Sequence, residues 1–191
     1  MTMRKMLVVC LILLATTTLA GCSTIERMLG GSGEHRSNGG MFTELNLAIR
    51  DDDLEKAKKM IAEGADVNEA ANYGGGDAIY VSNLSLAINF NDDPYEMVVL
   101  LMENGARLED DIVALYNAIE DGHYDVIQYL LDNGLDPNEG MQSAVTSEHL
   151  DILQLLLDYG ADPNEGVTLA KLNYNEEALK MLYAAGATVE E

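Results

Sequence analysis

"AIEDGHYDVIQYLLDNGLDPN", Ala118 to Asn138, returns in the next stretch of chain as "AVTSEHLDILQLLLDYGADPN", Ala144 to Asn164. In the first copy Val126, Ile127, Leu130 and Leu131 stand three and four apart, and Ile152, Leu153, Leu156 and Leu157 do the same in the second. Apolar residues at that spacing share one wide face of an α-helix. Each copy opens on a small Ala, which lets neighbouring helices approach closely. Each closes on a glycine, Gly134 or Gly160, at the same distance from its Ala, and then runs into "DPNEG", Asp136 to Gly140 and Asp162 to Gly166. The Asp, Asn and Glu of that pentapeptide invite a cation, but a calcium loop needs about six oxygens from one continuous loop. Five residues do not supply them, so "DPNEG" reads as a connector that recurs because a helix pair recurs.

Working outward, the same phrase begins at Ala48, Ala87 and Ala170 and closes at Gly64, Gly105 and Gly186. In the copy from Ala87 the interval is 18 rather than 16, which two extra residues around Asn91 to Pro94 explain. An apolar residue stands three before each Ala: Leu45, Leu84, Leu115, Met141 and Val167. These offsets resemble the ankyrin repeat, most fully in the third copy, where Gly122-His123 occupies the turn between helices. The resemblance implies an all-α solenoid of five stacked helix pairs, near 43–70, 83–110, 113–139, 141–165 and 167–191, within a repeat domain of 42–191. It also implies that His123 and His149 support their turns by hydrogen bonding. Asp93-Pro94 and Asn175, ahead of Glu176 and Glu177, read as helix starts.

Two departures sharpen this expectation. The closing glycines are 41, 29, 26 and 26 residues apart, whereas the usual period is about 33. An interval of 26 leaves room for a helix pair and a tight connector, so the β-hairpin fingers of the later repeats should be missing or vestigial. The long link "EAANYGGGDAIYVSN", Glu69 to Asn83, should form the one prominent finger. Secondly, Lys56 and Lys59 stand where the other repeats have apolar residues, as a terminal repeat with a polar outer face requires. The fifth repeat is expected to be the opposite cap and the array to be complete.

The N-terminus carries a different signal. Arg4 and Lys5 precede an unbroken apolar run from Met6 to Leu14, too short to span a bilayer and suited to export. Leu19-Ala20-Gly21-Cys22 resembles the bacterial lipobox. That resemblance implies a signal peptide over 1–21, cleavage before Cys22 and acylation of Cys22, two or more chains giving stable membrane attachment. Ser23, where an Asp would suggest inner-membrane retention, points to the outer membrane in a Gram-negative host. The other cysteine, Cys10, lies in the discarded segment, so no disulfide, zinc-thiolate site or Cys nucleophile is expected. From Ser23 to Gly40, "STIERMLGGSGEHRSNGG" reads as a flexible Gly/Ser tether within 22–41.

Of 191 residues, 48% are apolar, as in a globular protein. Eleven Lys and Arg against 33 Asp and Glu leave −22, a surface that repels nucleic acid and favours a basic protein partner. Acid runs such as Asp51-Asp52-Asp53 and Asp92-Asp93 fall at helix ends and turns, where capping and the helix dipole favour them. "NYGGGDAIY" lacks the Gly-Lys-Ser/Thr of a phosphate loop and reads better as a contact loop bearing Tyr73 and Tyr80. No pocket with carboxylates of divergent pKa is indicated. The sequence therefore points to a protein-binding module, not an enzyme, with no cofactor, no metal and no small-molecule substrate. With most fingers lost, first-helix positions Arg50, Asp51, Phe90, Tyr116, Glu120, Asp121, Gln142, Ser147 and Asn173 are the expected contact residues. An immunity protein against an envelope-acting toxin, an accessory subunit of a periplasmic enzyme and a structural envelope protein all remain open at this level.

Overall fold

The computed structural model describes residues 42–72, 80–108, 112–147 and 149–188. Among these, ten α-helices form five antiparallel pairs. The first members are α1 (Glu44–Arg50), α3 (Asn83–Phe90), α5 (Ile112–Glu120), α7 (Met141–Thr146) and α9 (Asn164–Leu172). The second members are α2 (Leu54–Ala62), α4 (Tyr95–Glu103), α6 (Tyr124–Asp132), α8 (Leu150–Asp158) and α10 (Glu176–Ala184). First helices pack on first helices and second on second, so the core is a strip between two helical layers. The opening residues Ala48, Ala87, Ala118, Ala144 and Ala170 lie in it with at most 1% exposure, which is why no larger side chain occupies that place. Val126, Ile127, Leu130 and Leu131 and their counterparts Ile152, Leu153 and Leu156 fill the space between layers.

Each second helix ends the same way. Gly64, Gly105, Gly134, Gly160 and Gly186 all adopt φ between 89° and 105°, a left-handed conformation that costs glycine nothing. The following N–H then reaches back five residues, as Leu135 does to Leu130 O at 3.0 Å and Ala161 to Leu156 O at 3.0 Å. This Schellman closure satisfies carbonyls that would otherwise be orphaned.

The "DPNEG" connector has a mechanical role that no single repeat discloses. Asp136 Oδ1 accepts from Asn138 N at 2.9 Å and from its Nδ2 at 2.9 Å, folding the turn on itself. Asn138 Oδ1, thus aimed, accepts from the backbone N–H of Asp162 in the next connector at 2.7 Å. Asn164 repeats the geometry and accepts from Thr188 N at 2.8 Å. Asn68 in the first repeat accepts from Arg107 N at 3.0 Å and donates to Gly105 O at 2.9 Å. The asparagines thus clasp the first connector to the second, the third to the fourth and the fourth to the end of the fifth repeat. Between α6 and α7 the chain forms only a 3₁₀ turn, Pro137–Gly140, and α9 starts directly at Asn164. Neither connector carries a hairpin, in agreement with the close spacing of Gly134, Gly160 and Gly186.

The long link does pair. β1 (Ala71–Asn72) and β2 (Tyr80–Val81) are antiparallel, with Ala71 opposite Val81 and Asn72 opposite Tyr80. Ala71 is fully buried, anchoring the base of this finger on the core. Its central stretch, 73–79, lies outside the described residues, and so do Tyr73, Cys22 and the stretches expected to be a signal segment and a tether. Among the described residues no helix is long and apolar enough to cross a membrane.

The caps follow local chemistry. Thr43 and Asn46 form a reciprocal capping box at the start of α1. Asp53 caps α2, Ser82 caps α3, and Asn175 caps α10 while its Nδ2 donates to Val145 O of the preceding repeat at 2.9 Å. One expected start is different. Pro94 itself precedes the first turn of α4, with no side-chain cap, and Asp93 does not cap that helix. At the far end Lys171 is exposed where the other first helices bury Ile49, Ile88, Ile119 and Val145. Repeat five therefore presents a polar end face, the counterpart of Lys56 and Lys59 in repeat one.

Candidate functional site

A helix buries one face and leaves the other, and side chains four apart share a face. In α5, α7 and α9 the same two positions flank the buried Ala on the outward side. Two residues before it stand Tyr116, Gln142 and Thr168, and two after it stand Glu120, Thr146 and Leu172. All are exposed apart from Glu120, which is partly so. The columns recur at the interval that separates Ala118, Ala144 and Ala170, so they lie in register across three stacked helices. Together they form a band whose middle is uncharged, with Tyr116 49% and Leu172 69% exposed. Carboxylates stand at both helix ends: Glu120 and Asp121 at the end of α5, Glu139 and Glu165 at the starts of α7 and α9.

Tyr174, just beyond α9, is 89% exposed. It adopts φ 54°, a left-handed conformation that costs a non-glycine residue about 1–2 kcal/mol. The equivalent turn of repeat three uses Gly122 at φ 75°. Asp52 in the first repeat takes the same conformation at φ 56°, so the backbone belongs to the turn, and what sets repeat five apart is an exposed Leu together with an exposed Tyr.

The sequence-selected positions divide. Tyr116 and Gln142 lie in the band, with Glu120 and Asp121 at its edge. Asn173 is exposed beside it, its Nδ2 donating to Leu169 O at 3.1 Å. Tyr80 is 69% exposed at the finger base, in a separate part of the chain. Asp51 is exposed, but Arg50 is occupied: its Nη2 lies 2.7 Å from Asp51 Oδ1 and its guanidinium 5.9 Å from the centre of the Phe42 ring. Phe90 is partly buried and packs against the core rather than pointing outward. Ser147 is not outward at all. At 7% exposure, its hydroxyl donates to Ala144 O at 3.1 Å and accepts from His149 N at 3.2 Å, closing the turn instead of offering a contact. Thr146, Thr168 and Leu172 were not among these positions, and the register of the columns with the opening Ala of each repeat is the signal that could have found them.

The opposite face is used differently. Tyr95 and Tyr129 meet edge to face with ring centres 6.0 Å apart, joining α4 to α6. Tyr159 donates its hydroxyl to Asp132 Oδ1 at 2.6 Å, and that hydrogen bond is the main reason its ionisation lies above the usual 10.0. Second-helix tyrosines therefore bind repeat to repeat. His149 also has a structural role: its imidazole lies against Gly122, where a Cβ would come within 2.7 Å of Nδ1. Among the described residues no group of three or more His, Cys, Asp or Glu is arranged to hold a metal ion.

Charge is uneven along the array. Between Lys59 and Lys171 the sequence has a single Lys or Arg, Arg107. Among the described residues, ion pairs join Lys56 to Glu44, Lys58 to Glu55 and Lys59 to Glu63 in the first repeat and Lys180 to Glu177 in the last. The acids of the middle repeats thus have one cation among them. Where acids crowd most, in the turns of repeats one and two, the Asp52 carboxyl is raised above its ordinary 3.8, first by loss of water on one side and then by Asp93 and Asp92. A carboxyl with a raised folded-state pKa binds its proton more tightly when folded, so its unfavourable contribution is present at neutral pH. That contribution is relieved as pH falls through the raised value towards 3.8. Asp52→Asn, which keeps the tolerance for φ 56°, should therefore raise Tm at pH 7 and leave it unchanged at strongly acidic pH. A lower Tm at pH 7 would mean that Asp52 is a favourable contact. Because Asp52 is exposed, the shift should shrink with added salt.

The family model for ankyrin repeats (3 copies) matches residues 84–166, from α3 into the first turn of α9. No match was found among curated proteins. Ankyrin repeats are thus present, and the architecture is an all-α ankyrin-repeat solenoid with one small hairpin among the described residues. Such repeats suggest a protein–protein interaction module.

Proposed function

We propose that this chain is a non-catalytic, lipid-anchored module of a bacterial cell envelope, facing the periplasm and recruiting a basic protein through the outward face of its first helices. The observation that carries the reading is the in-register band of exposed side chains on α5, α7 and α9, most of it in the stretch with one cation between Lys59 and Lys171, with Leu172 just past that stretch. Uncompensated carboxylates around an uncharged centre favour rapid capture of a positively charged surface. The lipobox-like Leu19-Ala20-Gly21-Cys22 supports anchoring through Cys22, with the Gly/Ser-rich stretch as a spacer, and Ser23 favours the outer membrane.

Full-length protein in cells should pellet with membranes, and Cys22→Ser should leave it in the soluble fraction. Unchanged pelleting would remove the anchor from the proposal. Partner capture from envelope extract should be strong at low salt and lost in about 1 M NaCl, where the Debye length falls to about 3 Å. Capture indifferent to salt would overturn the electrostatic reading.

A further inference from the structure

The band has a geometry that selects among basic partners. Neighbouring packed helices lie about 8–10 Å apart, so its columns recur at that interval from α5 to α9. An α-helix rises about 1.5 Å per residue, and residues seven apart on one face are about 10.5 Å apart. A helix laid across α5, α7 and α9 thus meets one column per heptad. A strand returns to the same face about every 6.6–6.8 Å and falls out of step. Chemistry points the same way: an uncharged middle ending in Leu172, with Tyr174 exposed in the turn just beyond it, accepts an apolar stripe, while Glu120 and Asp121 on one side and Glu165 on the other meet positive flanks.

We propose that this face binds a basic amphipathic helix of the partner, about three heptads long, with its apolar residues on Tyr116, Leu172 and Tyr174 and its Lys or Arg residues towards the flanking carboxylates. The inference rests on the reading of the chain as a protein-binding module and adds what kind of segment it binds. Of the three aromatic and aliphatic anchors, Tyr174 has the greatest exposure, and anchors of this type supply most of an interface's affinity.

The probe is a synthetic Lys/Leu peptide of about three heptads with leucines on one face, compared with a scrambled peptide of identical composition. Fluorescence anisotropy with full-length protein should show binding of the amphipathic peptide and weaker binding of the scrambled one. The double variant Tyr116→Ser/Leu172→Ser should weaken the amphipathic peptide at least about tenfold, whereas Tyr124→Ser on the second-helix side should not. Both altered positions are exposed, and an unchanged thermal melt verifies the fold. Equal affinity for the two peptides, or equal affinity of wild type and double variant, overturns the proposal by reducing it to nonspecific attraction to an acidic protein. Capture from envelope extract separates the two readings. A partner retained by the double variant as well as by wild type sinks this inference but leaves the module intact. No salt-sensitive partner for either protein sinks the module itself.

Discussion

Replacing Gly140 by Val should destabilise the protein by about 3 kcal/mol, roughly 6–12 °C in Tm for a domain of this size. Gly140 ends the 3₁₀ turn that stands in for a hairpin, and its backbone passes against the core. A Cβ there would stand 3.0 Å from Ile119 Cδ1 and 3.0 Å from Leu156 Cδ1, closer than carbon atoms normally pack. Both neighbours are fully buried, so neither side chain can swing into water to make room. The φ of Gly140 is −86°, open to any residue, so the expected loss is steric and not conformational. That distinction can be measured. Leu156→Ala alone should cost about 2–5 kcal/mol as a core truncation, but it also vacates the space that the introduced valine would need. The double variant should therefore be more stable than the sum of the single losses implies, by about 1–2 kcal/mol. Strict additivity in chemical denaturation would mean that Gly140 is required for some other reason.

This glycine shows where reading the sequence succeeded and where it stopped. The shortened connector follows from counting residues between Gly134 and Gly160, because chain length bounds what a link can build. The apolar face of α6 follows from Val126, Ile127, Leu130 and Leu131, because helical periodicity is local. What Gly140 touches is not local: Ile119 lies on the far side of α6 in the chain, and Leu156 lies in the next helix pair. The reach of Asn138 to the Asp162 amide is equally invisible in "DPNEG", where the same residues suit a self-contained turn. Ser147 and Phe90 were misplaced for a related reason. Offsets from the opening Ala held through the helices but not into the turns, where Ser147 bonds to its own backbone and two extra residues redirect the chain after Phe90. Tyr116 and Gln142, expected as outward first-helix positions, are exposed because the offsets from the opening Ala hold along α5 and α7. Thr168 and Leu172 are ordinary in theirs and stand out only as members of a column.

Asn83→Ala should cost about 3 kcal/mol and act on one end of the array. Asn83 is 1% exposed and Asn46 is fully buried. Asn46 Nδ2 donates to Asn83 Oδ1 at 2.8 Å and to Glu69 O at 3.0 Å, while Asn83 Nδ2 donates to Val67 O at 2.9 Å. The pair thus joins α1, the link after α2 and α3, where the other repeat junctions rely mainly on Ala, Ile and Leu. Truncation leaves a buried N–H of Asn46 and the Val67 carbonyl without these partners, and each orphaned group costs about 1–3 kcal/mol. In a solenoid each repeat is held mainly by its neighbours, so a loss at one interface weakens the terminal unit first. The first repeat has little to resist with, because Ala57 is the only buried residue of α2. Amide exchange over 45–61 should accelerate in the variant while 126–131 stays protected. Uniform acceleration along the chain would show that the five repeats unfold as one cooperative unit. Unchanged exchange in α1 would show that the asparagine pair does not hold the cap. The position of this junction gives the result functional weight: every residue of the proposed anchor and tether enters the solenoid through α1, whereas the proposed contact band begins at α5. A first repeat that opens should lengthen the link between the proposed anchor and the rest of the array without altering the band, so peptide binding by Asn83→Ala should match wild type even as its stability falls.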